Sequence, residues 1–222
     1  MPDHYVCRML NSHGIRLENL GIRPINGAKY EIDPRRIWKR FASHYYLFRG
    51  TPTRLWIDQV LDEVFKVERV LCKETADEIF DQITHLLKQP EFSPRALFER
   101  FNIEVLATTE SALDNLEYHA SIAKSGWGGR VITTYRPDDI IDPDRPQFLA
   151  NLQCLAKITN CDTTTWAGYL DAHRTRRQVF RDHGATATDH GHPTARTANL
   201  PLKEAEILFS KVLMGSCTQK QA

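Results

Sequence analysis

Short apolar or threonine-rich runs alternate with helix-spaced stretches in the second half of the chain, whereas helix-spaced stretches dominate the first. Residues 103 to 107, 131 to 134 and 185 to 188 are too short for helices. Helical sequence separates each from the next, the pattern of parallel strands in βα repeats. All three stop on polar residues: Thr108-Thr109, Tyr135-Arg136-Pro137-Asp138 and Asp189-His190-Gly191. In parallel sheets and barrels the site lies at the C-terminal strand ends, which makes these stops candidate site residues.

Helix starts recur before residue 102. Asp33-Pro34 opens a segment to residue 48, Thr51-Pro52 one to residue 64, and Ser93-Pro94 one to residue 101. In each, a side-chain oxygen can cap free backbone donors and Pro stands where its missing N–H is not needed. Thr75-Ala76-Asp77-Glu78 has the form of a capping box ahead of the stripe Ile79, Ile83, Leu86 and Leu87. Further on, residues 111 to 125, 146 to 158, 166 to 183 and about 202 to 213 read as helices, the last two followed by Gly184 and Gly215. The fold class expected is α/β, with residues 1–102 helical and residues 103–222 built of βα units.

With 222 residues, 41% of them hydrophobic, the chain can bury one large core or two small ones. A formal net charge of +1 supplies no overall field toward nucleic acid or a membrane. The first residues lack a signal peptide's pattern and no apolar run approaches a spanning length, so a cytoplasmic location is expected. Cys7, Cys72, Cys154, Cys161 and Cys217 are odd in number and scattered. They read as reduced thiols rather than a disulfide framework or a metal site.

Three parallel strands are too few for a closed barrel, since an eight-stranded βα barrel takes about 250 residues by itself. The expectation is therefore a piece of a longer chain.

Five segments occur in order: Asp3-His4-Tyr5-Val6-Cys7-Arg8-Met9-Leu10; Ala42-Ser43-His44-Tyr45-Tyr46-Leu47-Phe48-Arg49-Gly50-Thr51-Pro52-Thr53-Arg54-Leu55-Trp56; Pro90-Glu91-Phe92-Ser93-Pro94-Arg95; Thr133-Thr134-Tyr135-Arg136-Pro137-Asp138; and Thr188-Asp189-His190-Gly191. Together they resemble the uronate (glucuronate) isomerase family of the amidohydrolase superfamily. The resemblance implies a partial TIM (β/α)8 barrel, about strands two to four, preceded by a large helical insertion. It implies interconversion of D-glucuronate with D-fructuronate and of D-galacturonate with D-tagaturonate by the complete protein, the isolated piece being inactive. It also implies a divalent metal, zinc by preference, whose ligands fall outside this chain. The partner expected is a small-molecule uronate, with no nucleic acid and no membrane, and homo-oligomerisation is left open.

Such an isomerisation removes a proton from C2, returns one to C1 and holds the distant carboxylate with cations. His4 and Tyr5 follow Asp3 at a helix start, where the dipole favours anions. By resemblance Tyr5 polarises or transfers a proton near C1 and C2, and His4 binds substrate. The plainer alternative is a capped helix start with Tyr5 packed on a neighbour. Arg136 precedes Pro137, which favours extended backbone, and its planar fork suits a carboxylate. A salt bridge with Asp138 or Asp139 is the competing reading. Consecutive strand residues point to opposite sides, so of Asp189 and His190 only one faces a barrel axis. By resemblance that one is Asp189, an acceptor or base during ring opening, while His190 binds substrate or supports those that do. His190-Gly191-His192 has the spacing of a metal pair but lies on the wrong strand for the family's metal.

Other features carry plain readings. Arg174, Arg176, Arg177 and Arg181, interrupted by Asp171 and Asp182, suggest a solvated outer helix face rather than nucleic-acid binding. Tyr45, Tyr46, Phe48, Trp56 and Phe65 suggest core, and Trp127-Gly128-Gly129 a turn before a strand. Another metal-dependent hydrolase of the same superfamily, or a noncatalytic module binding sugar acids or a protein, are the alternatives.

Overall fold

A capping oxygen, joined by proline at residues 34 and 52, starts three helices of the first half where expected. In the computed structural model, which describes residues 3–191 and 198–217, α1 (His4–Ser12) is capped by Asp3, which accepts from the Val6 N–H at 2.8 Å. Helix α2 (Pro34–Ser43) is capped by Asp33 through Arg35 N at 2.9 Å, and α3 (Pro52–Gln59) by Thr51 through Arg54 N at 3.2 Å. Helices α4 (Ala76–Leu86) and α5 (Pro94–Arg100) follow.

Two of the long helical segments break. The one expected to reach residue 48 ends at Ser43 and continues as a 3-10 turn, Tyr45–Phe48. Residues three apart eclipse in that tighter turn. Tyr45 and Phe48 thereby both reach the core, edge-on to Phe41 at 5.2 and 5.7 Å. The next helix ends at Gln59 and passes into a π turn, Val60–Val64. Tyr46 and Trp56, expected in the core, are instead exposed, and Leu87 leaves the α4 stripe for solvent. The capping box at Thr75 does not form. Its hydroxyl donates to Val70 O at 2.8 Å and accepts from Cys72 N at 3.0 Å, closing the loop ahead of α4 rather than capping it.

The chain divides into two compact units, residues 1–97 and 98–222. The first is centred on Val6, Leu10, Leu20, Phe41, Tyr45 and Ile79.

In the second unit, β1 (Leu106–Ser111) and β2 (Val131–Arg136) pair in parallel, Leu106 opposite Val131 and Ser111 opposite Arg136. The third expected strand reduces to one parallel bridge from Thr188 to Tyr135, with Tyr135 N donating to Ala187 O at 3.3 Å and Asp189 N to Tyr135 O at 3.0 Å. These segments are parallel neighbours in sequence order. Both strands run beyond the residues their apolar pattern marks, and β1 starts later than residue 103. Their polar ends stay extended because Glu110 meets Thr133, Ser111 meets Asp139 and Arg136 meets Asp138.

Ser111, read as a helix start, therefore ends a strand, and α6 (Glu117–Lys124) begins six residues later. Asp114 and Asn115 delay it by accepting from Leu116 N at 2.7 Å and Glu117 N at 3.1 Å, side-chain turns that compete with helix. Next come α7 (Asp138–Ile141), α8 (Phe148–Thr159), α9 (Trp166–Asp182) and α10 (Leu202–Leu213). Gly184 takes the left-handed conformation after α9, φ 91°. Leu116, Tyr135, Ile140, Leu152, Leu155 and Phe180 form the core of this unit. Arg176, read as part of a solvated face, is buried: it donates to Ala112 O at 2.7 Å and Asp114 O at 2.6 Å, tying α9 to the loop after β1. Arg174, Arg177 and Arg181 are exposed.

Candidate functional site

Strand alternation gives the small sheet two chemically different faces. Thr108, Glu110, Thr133 and Tyr135 share the face under the helices. His119 of α6 lies 2.9 Å from Thr108 Oγ1 and 3.6 Å from the Glu110 carboxylate, and Tyr135 packs edge-on to Phe180 of α9 at 5.0 Å. Thr109, Ser111, Thr134 and Arg136 share the opposite face, so a row of polar side chains leads to the strand ends.

Arg136 is the centre of that end. Its Nε donates to Asp138 Oδ2 at 2.8 Å and its Nη1 lies 3.4 Å from Asp189 Oδ2. The Arg136 side chain stays 43% exposed, which leaves guanidinium donors for a ligand. The salt-bridge reading of Arg136 thus holds for Asp138, and the guanidinium stands at the end of β2. Asp138 is almost covered, with 7% of its side chain exposed, and accepts from Gly191 N at 3.0 and 3.1 Å. Burial alone pushes the Asp138 carboxyl up, but the Arg136 hydrogen bond, the Gly191 N–H and the charges of Arg136 and Arg145 outweigh it. They hold the group below the usual carboxylate range. The Asp138 hydrogen bond, then Asp189, raises Arg136 further.

Arg145 closes a second ring of charges, reaching Asp139 at 2.5 Å and Asp142 at 3.3 Å, and Ser111 donates to Asp139 at 2.8 Å. Sequence reasoning placed Asp138 among the polar strand-end residues, gave Asp138 and Asp139 no role beyond a salt bridge to Arg136, and missed Arg145. The one signal available was the Arg136-Pro137-Asp138 spacing, in which the proline bend returns the second residue toward the first.

Asp189 and His190 diverge as consecutive strand residues should. Asp189 joins Arg136, while His190 lies 3.1 Å from Thr188 Oγ1 and lines a cavity of about 330 Å³ beside Tyr135, Tyr169 and His173. His192 lies outside the described residues. His173 was not singled out from sequence, although its spacing with Tyr169 and Phe180 marks one buried helix face. Its Nδ1 is 3.0 Å from the Tyr135 hydroxyl, and Nε2 has no hydrogen-bond partner among the described residues. Burial, then Arg177, pushes the His173 imidazole down to about 4, and burial pushes the Tyr135 hydroxyl up to about 12.

In the first unit, His4 and Tyr5 stand in the first turn of α1 with ring centroids 4.0 Å apart, and Tyr5 is 62% exposed. Tyr5 is therefore not packed away as a core aromatic. Among the described residues no group of three or more His, Cys, Asp or Glu could hold a metal ion, and no helix is long and apolar enough to cross a membrane.

The family model described as glucuronate isomerase matches residues 1–222. A uronate isomerase of Mesorhizobium japonicum is 58% identical across 100% of this chain and 47% of its own length, and one of Xanthomonas axonopodis pv. citri is 54% identical over the same shares. The crystal structure of a Caulobacter crescentus glucuronate isomerase superposes with a TM-score of 0.93 at 49% identity, covering 99% of this chain and 46% of that one. A Thermotoga maritima uronate isomerase gives 0.86 at 27% identity. The chain spans about half the length of the curated relatives it matches.

Proposed function

Because the chain belongs to the glucuronate isomerase family, we propose that the complete protein interconverts D-glucuronate with D-fructuronate and D-galacturonate with D-tagaturonate. In this proposal residues 1–102 form the helical insertion, and residues 103–222 supply strands two to four of a (β/α)8 barrel. The observation that carries it is Arg136, a half-exposed guanidinium fixed at a strand end beside a second carboxylate. A cation so placed suits the group that separates a uronate from a neutral sugar.

In a pyranose uronate the ring oxygen is bonded to C5, the neighbour of the C6 carboxylate. With Arg136 on C6, Asp189 falls near that oxygen. It accepts or returns the proton that moves between the C1 hydroxyl and the ring oxygen as the C1–O5 bond opens. Tyr5 then polarises or exchanges a proton near C1 and C2 of the open chain, and His4 binds the substrate. His190, on the helix side of its strand end, contributes by holding Thr188. A divalent metal, zinc by preference, belongs to the complete protein. The described residues offer no cluster that fits it. The substrate is small, and neither nucleic acid nor a membrane has a part.

Turnover by the complete protein tests the proposal. Incubated with D-glucuronate, it should deplete the anomeric proton signals and build ketose signals in the NMR spectrum. Hydrolysis of an ester or amide with no uronate turnover would favour the hydrolase alternative, and neither activity would favour a binding module.

A further inference from the structure

Arg136 has four side-chain torsions, and a half-exposed guanidinium loses grip unless something fixes its plane. Asp138 takes the Nε edge of the guanidinium at 2.8 Å, while Nη1 lies 3.4 Å from Asp189 Oδ2 and the side chain as a whole stays 43% exposed. The same carboxylate accepts from Gly191, so one buried group joins the end of β2 to the turn that follows Asp189. A buried carboxylate costs free energy unless it is paired, and these partners come from both strand ends. Gly191 supplies a second, independent observation. A Cβ there would lie 2.8 Å from Asp138 Oδ2 and 3.0 Å from Arg136 Nη2. A side chain at 191 would have to push the Asp138 carboxylate or the Arg136 guanidinium aside.

We propose that Asp138 is a positioning residue, assisted by the bare backbone of Gly191, which sets the angle of Arg136 toward the substrate carboxylate and couples it to Asp189. This rests on the reading of Arg136 above.

The test uses the complete protein with Asp138→Asn, Gly191→Ala, Arg136→Lys, and Asp138→Asn combined with Arg136→Lys. Asp138→Asn keeps shape and one acceptor but loses the charge; Gly191→Ala keeps every charge and crowds the pair from an exposed position. Each single variant at 138 and 191 should raise KM for D-glucuronate by about tenfold or more, the loss expected for a charge-assisted hydrogen bond, with kcat changed less. In the Arg136→Lys background Asp138→Asn should add less than about twofold, since the fork it positions is gone. Should Asp138→Asn fail to fold, Gly191→Ala decides alone. Unchanged KM in the 138 and 191 variants beside a disabled Arg136→Lys would overturn the positioning role and leave the carboxylate clamp intact. A full additive loss in the double variant would equally overturn it, marking Asp138 as structural. A wild-type KM in Arg136→Lys would remove the clamp itself, and the positioning role with it.

Discussion

Arg136 and Asp189 meet because two strand ends are adjacent, and that adjacency was readable: each residue follows a short run that a parallel sheet would bring alongside the other. Lysine keeps the charge of Arg136 but not the planar fork. Arg136→Lys in the complete protein should therefore lower kcat/KM for glucuronate by roughly a hundredfold, while Arg174→Lys, an exposed partner of Asp171, should change it little. Equal effects would contradict the assignment. Buried polar residues were less legible. Helical spacing puts Arg176 on the face of Tyr169, Ala172 and Phe180, but its charge reads as solvated, because its partners, Ala112 and Asp114, are more than sixty residues away. His173 is a second case, with a measurable consequence. An unfolded chain with an ordinary imidazole near 6.5 binds more protons than the folded one, held at about 4. Stability is thus full above pH 6.5 and falls as pH drops toward 4, by about 2 kcal/mol between pH 7 and pH 5. Urea unfolding at the two pH values should show this loss in wild type and a smaller one in His173→Phe; an identical loss in both would refute it.

Helix starts were legible where a capping side chain and proline act together, at Asp33-Pro34 and Thr51-Pro52, since both effects are local. Helix ends and strand limits depended on packing. Tyr45 and Phe48 reach the core only through a tighter turn, and the strands extend as far as their polar ends find partners. The start of α9 shows local propensity overruled. An alanine inside a helix ordinarily gains up to about 1 kcal/mol over glycine. At Gly168, however, a Cβ would lie 2.1 Å from the Asp162 carbonyl oxygen, in the turn whose Thr165 hydroxyl caps the helix through Gly168 N. Gly168→Ala should therefore destabilise by about 1–3 kcal/mol, seen as a lower melting temperature. A raised melting temperature would show that the loop yields freely.

At the scale of the molecule, β1 pairs only with β2 among the described residues, and its far edge stays open beside exposed Ile103, Val105 and Leu106. Open strand edges invite pairing with other chains. The isolated 222-residue polypeptide should therefore associate in sedimentation experiments and show no isomerase turnover; a monodisperse, active preparation would contradict the half-barrel account. The parallel βα order was legible because short apolar runs between helices leave few other topologies. The roles of His4 and Tyr5 were not readable from pattern; they come from the family resemblance alone. The most direct measurement is a crystal structure of the complete protein with a hexuronate bound. The sugar carboxylate should lie about 3 Å from the Arg136 guanidinium, with the Asp189 carboxylate against the same molecule. A carboxylate held by other cations, with Arg136 and Asp189 away from the sugar, would contradict the assignment.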